Sequence, residues 1–161
     1  MKKLSLTLIF GIFLLGCQKQ RKISEIENWI SKIESRTDLI ESITEFESEI
    51  NGMDAIGGFD IYTVMDQDSI ILKVYANIAM SNDSLTDYEF YFQKDTVVFA
   101  NIRQYKQSGL DKQKLDTLTD SDFYFENGYL VERIDRKKTE LEPQTVKWLA
   151  ESYFVFGRDY K

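Results

Sequence analysis

Residues 86–104 read TDYEFYFQKDTVVFANIRQ, and the alternation in this stretch decides the fold. Aromatic and β-branched residues alternate with polar ones on both sides of Lys94-Asp95, as two half-buried strands around a tight turn require. With Lys94-Asp95 as a two-residue turn, strict alternation pairs Phe92 with Val97 and Phe90 with Phe99 on one apolar face. The same pattern precedes it, with strands over 59–65 and 70–80 around Asp66-Gln67-Asp68-Ser69. There, Met65 faces Ile70, Thr63 faces Leu72 and Ile61 faces Val74, while Tyr62, Lys73 and Tyr75 fall on the other face. Asn127-Gly128, the strongest turn signal in the chain, joins 121–126 to 129–136 and pairs Phe125 with Leu130 and Asp122 with Arg133.

The flanks change period. Ile23, Ile26, Trp29, Ile30 and Ile33 recur at helical spacing, which predicts an amphipathic helix over 23–36. Thr37-Asp38 is a candidate cap for a second helical piece carrying Leu39, Ile40, Ile43, Phe46 and Ile50, and one helix or two is left open. Asn51-Gly52 and Gly57-Gly58 punctuate the chain before the strands begin. Residues 105–120 are polar and aperiodic, which reads as a long loop of the kind that is usually functional or disordered. Pro143 suits the first turn of a closing helix with Val146, Leu149, Ala150 and Tyr153 on one face and Gly157 as its stop. Trp29 and Trp148, one on each helix, are expected in the core. The expected fold is α+β: an antiparallel β-meander of about six strands, with an N-terminal and a C-terminal helix packed on one face.

The leader is distinct from all of this. Lys2-Lys3, an apolar run from Leu4 to Leu15 and then Gly16-Cys17 form a secretory signal. The twelve residues of that run reach roughly 18 Å as a helix, against a hydrocarbon core of about 30 Å. Leu14-Leu15-Gly16-Cys17 resembles the lipobox of bacterial lipoproteins, which is cut just before the cysteine. That resemblance implies a signal peptide over 1–16, a lipidated Cys17 with a short basic tether over 17–22, and a single α+β domain over 23–161. It also implies a cell-envelope location, periplasmic side or cell surface, with the protein held in membrane lipid through Cys17. Gln18 stands where an aspartate would resemble the retention signal of some diderm bacteria, so the outer membrane is favoured. Lys19, Arg21 and Lys22 would add about 1 kcal/mol each against anionic lipid. The helix-then-meander layout with aromatic-rich hairpins also resembles small bacterial lipoproteins of unassigned function, from which no residue role carries over.

Composition narrows the chemistry. Removing residues 1–16 leaves 18 basic residues against 27 acidic, a net charge of −9 that disfavours nucleic acid. Histidine is absent and Cys17 is the sole cysteine, which excludes zinc sites and histidine- or cysteine-based triads in the mature domain. Carboxylates remain, and Asp60, Asp66, Asp68, Glu89 and Glu126 are candidates for a glycosidase-type acid pair. Asp66-Gln67-Asp68 and Asp116, Asp120 and Asp122 offer oxygen ligands but lack the twelve-residue calcium-loop pattern, so no metal and no cofactor is expected. Tyr62, Tyr75, Tyr91 and Tyr124 fall opposite the apolar face, with Lys73 across from Tyr62 at cation–π range. These five residues form the candidate partner or ligand surface, since tyrosine is enriched where proteins bind. The expected function is a non-catalytic, lipid-anchored binding module with a protein or glycan partner, one version being an immunity or inhibitor protein against a basic toxin or hydrolase. The alternatives are a carboxylate-dependent glycan hydrolase and a structural subunit of an envelope assembly.

Overall fold

In a computed structural model, the described residues are 2–47, 58–79, 84–108 and 111–159, with side chains from residue 18 onward except 46–47, 108 and 111–114. The fold is α+β. Helix α1 (Lys2–Glu34) is followed by strands β1 (Ile40–Glu47), β2 (Gly58–Met65), β3 (Ile71–Ala79), β4 (Ser84–Gln93), β5 (Thr96–Ser108), β6 (Asp111–Glu126) and β7 (Tyr129–Lys137), then helix α2 (Pro143–Asp159). The strands form one antiparallel meander in sequence order, β1 to β7.

The turns obey local chemistry. Lys94 and Asp95 (φ 51° and 59°) and Asn127 and Gly128 (φ 51° and 78°) are left-handed pairs, the backbone that two-residue hairpins require. Between β2 and β3, the Asp66 carboxylate accepts the backbone N–H of Asp68 at 3.0 Å and of Ile70 at 2.9 Å. These two bonds add to the backbone bond in which the Asp66 N–H donates to the Ile70 carbonyl at 3.0 Å where the chain reverses.

Three of the departures from strict alternation in the strand registers fall at corresponding places beside the turns. Met65 faces Ile71 and Val64 faces Lys73, so Leu72 is the extra residue of a β-bulge. Phe92 faces Val97, as read, but Tyr91 faces Phe99, so Val98 is extra. Phe125 faces Leu130, also as read, but Tyr124 faces Glu132, so Val131 is extra. Each bulge follows closely on its turn and inverts the parity of the strand beyond it. Ile61 therefore faces Ala76, Thr63 faces Val74, Phe90 faces Ala100 and Asp122 faces Ile134. The pairings Met65–Ile70, Thr63–Leu72, Ile61–Val74, Phe90–Phe99 and Asp122–Arg133 are corrected accordingly.

The bulges also give the sheet a second apolar face. Phe90, Phe92, Ile102, Phe123 and Phe125 are almost fully buried against Val146 and Ala150 of α2, with Leu149 and Tyr153 packed alongside. Burying each such phenylalanine contributes roughly 2–3 kcal/mol. On the opposite face Leu72, Val98 and Val131 join Tyr91, Phe99 and Tyr124 beneath Ile23, Ile26, Trp29, Ile30 and Ile33 of α1. The two helices thus cover opposite faces of the sheet, not one.

Other expectations change with physical cause. Residues 40–47 are a strand, making seven, because Ile40 to Glu47 pair edge-on with β2 from Met65 to Gly58. The predicted helical piece continues to Ile50, which with Asn51-Gly52 and Gly57 lies outside the described residues. The predicted loop over 105–120 is mostly strand, an extension of β5 and β6 past the sheet body in which Lys106 faces Asp116 and Gln107 faces Leu115. Its Leu115 and Leu118 are 44% and 46% exposed, so no burial pattern was imposed on its sequence. Gly157 lies inside α2 rather than ending it, and a Cβ there would come within 2.4 Å of the Thr63 hydroxyl. Trp29, on α1, is half-buried against the sheet, but Trp148 is 61% exposed and is not core.

Candidate functional site

Helix α1 crosses the strands near their bulged ends, and the residues that dock it trace its path. Lys19 pairs with Glu132 on β7, and Lys22 reaches Glu126 of β6 at 2.8 Å. The Tyr124 hydroxyl of β6 donates to Glu27 at 3.1 Å. At the far end Glu34 accepts from the Tyr91 hydroxyl of β4 at 2.7 Å and from Lys73 of β3 at 2.9 Å. Residues 17–22 are part of this helix.

Three cross-strand rows follow from the register on this face. The first is Glu41, Val64, Lys73, Tyr91, Phe99, Tyr124 and Glu132, along the line of α1. The second is Ile43, Tyr62, Tyr75, Glu89, Asn101, Asp122 and Ile134, beside the helix. The third is Glu45, Asp60, Asn77, Asp87, Arg103, Asp120 and Lys137, farther from it. The five candidate surface residues are therefore split. Tyr91 and Tyr124 are buried at 3% and 4% exposure, whereas Tyr62 and Tyr75 lie half-buried in the second row. Lys73 faces Val64 rather than Tyr62, because the Leu72 bulge shifts it, and its ammonium lies 5.0 Å from the Tyr91 ring centre and 5.4 Å from that of Tyr75.

Tyr62 and Tyr75 stack across β2 and β3 with ring centres 4.3 Å apart and planes 3° from parallel. The Tyr75 hydroxyl donates to Glu41 at 3.0 Å, and burial with that carboxylate raises its pKa well above the usual tyrosine range. Next to the stack, Lys73 bridges Glu34 and Glu89, the latter at 2.6 Å. Burial alone would lower the Lys73 ammonium, but the hydrogen bond and charge of Glu89, then of Glu34, outweigh it and the net shift is upward.

The network continues across the sheet. Arg103 donates to the Asn101 side-chain oxygen at 2.7 Å, and Asn101 donates to Asp122 at 2.6 Å. Arg136, the extra residue opposite Asp120 and Ser121, grips Asp120 and Asp122 through four hydrogen bonds of 2.7–2.9 Å. Its hydrogen bonds hold the Asp120 carboxyl below the ordinary range. Among the described residues, no buried side-chain polar atom lacks a partner. Asn101, Arg103 and Arg136 are members of this hydrogen-bonded polar face that hydrophobic periodicity alone does not flag.

No family model, curated protein or solved structure matches this chain.

Depressions on the α1 side of the described residues include one of about 360 Å³ bounded by Glu34, Arg36, Glu41, Lys73 and Tyr75. Two more lie along the helix and beside the tyrosine stack. One, of about 400 Å³, runs between α1 and two hairpin turns, with Ile26, Trp29, Val98 and Phe125 as apolar lining and Lys22 and Lys94 among its polar walls. The other, of about 220 Å³, is shallower and is lined by Tyr75, Asn77, Asp87, Glu89, Asn101 and Arg103. The acids singled out for a catalytic pair are dispersed. Asp66 caps its turn, Asp68 is exposed, Glu126 pairs with Lys22, Asp60 lies in the outer row and Glu89 is held by Lys73. Asp87, which sequence reasoning left out, has its carboxyl raised above the ordinary range by burial, with Glu89 adding to the rise and Arg103 opposing it. Among the described residues no helix is long and apolar enough to cross a membrane.

Proposed function

We propose that this chain is a lipid-anchored, non-catalytic binding module of the bacterial cell envelope that recognises a basic protein surface. The anchor is Cys17, in the lipobox-like Leu14-Leu15-Gly16-Cys17, and the recognition surface is the open part of the α1 face, in the two rows beyond the helix. The observation that carries the reading is this preorganised strip, in which stacked tyrosines adjoin a charged network with every buried polar atom of the described residues satisfied. A side chain already fixed by its neighbours loses little entropy on binding.

Charge sets the partner class. The two open rows carry Glu45, Asp60, Asp87, Glu89, Asp120 and Asp122 against Arg103, Lys137 and the Arg136 that grips Asp120 and Asp122, a balance of −3. An acidic strip steers a basic partner and speeds encounter. A protein also suits the tyrosines better than a glycan does, because each ring spends one face on the other. An immunity or inhibitor protein against a basic toxin or hydrolase is the concrete form of this reading, and confinement at a membrane would raise its effective concentration there.

Affinity capture from crosslinked cells tests it, comparing the wild type, Cys17→Ala and an Asp60→Lys, Asn77→Arg pair, with expression and folding verified for each. A basic protein captured by the wild type and lost from both variants is the expected result. The same set captured from all three would contradict it.

A second reading rests on Asp87, whose raised carboxyl beside Glu89 and Tyr75 is the feature a glycan-cleaving acid would need. Hydrolysis of an envelope glycan that disappears in Asp87→Asn would favour it.

A further inference from the structure

We propose that the β7 edge, together with the start of α1, is a second interaction surface whose partner is an anionic lipid bilayer. The inference rests on lipidation at Cys17 and adds to it an orientation. Cys17 lies within α1, two residues before Lys19, which is ion-paired to Glu132 of β7. Two residues of helix rise only about 3 Å, so a lipid attached there leaves no slack between the bilayer and β7. The same helix then leads from β7 across β6 and β4 to Glu34 and Lys73 on β3. With strands about 4.8 Å apart, β1 stands six spacings, roughly 29 Å, from β7. The acidic outer row would therefore rise away from the membrane rather than lie on it.

Charge and side-chain type at this edge match the partner. Residues 18–25 and 129–138 hold seven basic residues and three acidic ones, and adding Glu126, Asp120 and Asp122, which pair with Lys22 and Arg136, leaves this edge at +1 in a mature chain whose total is −9. The rest of the mature chain therefore carries −10. Arg21, Lys137 and Lys138 are exposed, and so are the apolar side chains of Tyr129 (79%), Leu130 (42%) and Ile134 (39%) on the last strand of the sheet. Tyrosine and aliphatic groups flanked by lysine and arginine suit the headgroup layer, where apolar parts enter and charges meet phosphate. Each basic side chain brought to an anionic surface favours the docked state by roughly fivefold.

The test uses the lipidated protein reconstituted in vesicles of phosphatidylcholine and phosphatidylglycerol in equal amounts. Cys17 is the only native cysteine and its thiol is taken by lipid, so one introduced cysteine is uniquely labelled with a fluorophore. Leu130→Cys reports on the β7 edge and Glu45→Cys on β1, with a nitroxide-headgroup lipid as quencher. Severalfold stronger quenching at 130 than at 45 is expected, with the ratio falling toward one in an Arg21→Glu, Lys138→Glu background that still floats with the vesicles. Equal quenching at both positions in floating wild-type protein would overturn the orientation while leaving the anchor intact. Wild-type protein that does not float would overturn the anchor itself, and the orientation with it.

Discussion

Tyr62 and Tyr75 occupy directly opposed positions on β2 and β3 and stack face to face at 4.3 Å. Such a pair contributes about 0.5–1.5 kcal/mol beyond its buried area. Tyr75→Ala should therefore destabilise the fold by about 1–2 kcal/mol in urea titrations, since it also removes the hydroxyl bond to Glu41. Tyr75→Phe should keep the stack and lose less.

Lys73 fastens the end of α1 to the sheet through Glu34 and is also the partner of Glu89. Lys73→Met leaves two carboxylates and the Tyr91 hydroxyl around an apolar chain. A loss of about 2 kcal/mol is expected, less than for a fully buried pair because Glu34 is half exposed. Hydrogen exchange should show faster opening of the α1 backbone near Glu34 in this variant.

Gly157 packs against Thr63 where α2 meets β2. Alanine normally favours a helix over glycine, yet a Cβ here would sit 2.4 Å from the Thr63 hydroxyl oxygen and 3.1 Å from its methyl group. Gly157→Ala should cost about 1–3 kcal/mol by overpacking. Thr63→Ala in the same chain should recover much of that loss, and a double-mutant cycle of thermal unfolding measures the coupling.

Two carboxylates on the open face should give opposite pH signatures. The Asp120 carboxyl is depressed, so its contribution is present above the unfolded value of about 3.9 and is lost as pH falls through the folded pKa. Arg136→Ala should shrink that acid loss. The Asp87 carboxyl is raised, so ionising it opposes folding once pH passes upward through its folded pKa. Asp87→Asn should stabilise the protein at neutral pH and differ little from the wild type below pH about 3.9 in paired denaturation curves.

The turns were legible because Lys94-Asp95 and Asn127-Gly128 carry their own backbone chemistry, and the α+β meander followed from them. The faces were not. Leu72, Val98 and Val131 each insert one residue, and an aliphatic residue at a bulge looks like any other strand residue. That hid Phe99 from its true partner and concealed the second apolar face, which α1 covers. β1 was misread because Leu39, Ile40, Ile43 and Phe46 repeat at helical spacing while pairing with β2 sets the conformation. All four tyrosines of the candidate surface lie off the α2 core, but burial of Tyr91 and Tyr124 depends on a helix that the strand pattern cannot locate.

The most direct measurement is photo-crosslinking in intact cells from Asn77, exposed in the outer row, against the same probe at Ser152, exposed on α2. If the open α1 face is the recognition surface, one basic envelope protein should crosslink from Asn77 and not from Ser152. Crosslinking of the same proteins from both positions, or of none from Asn77, would contradict it.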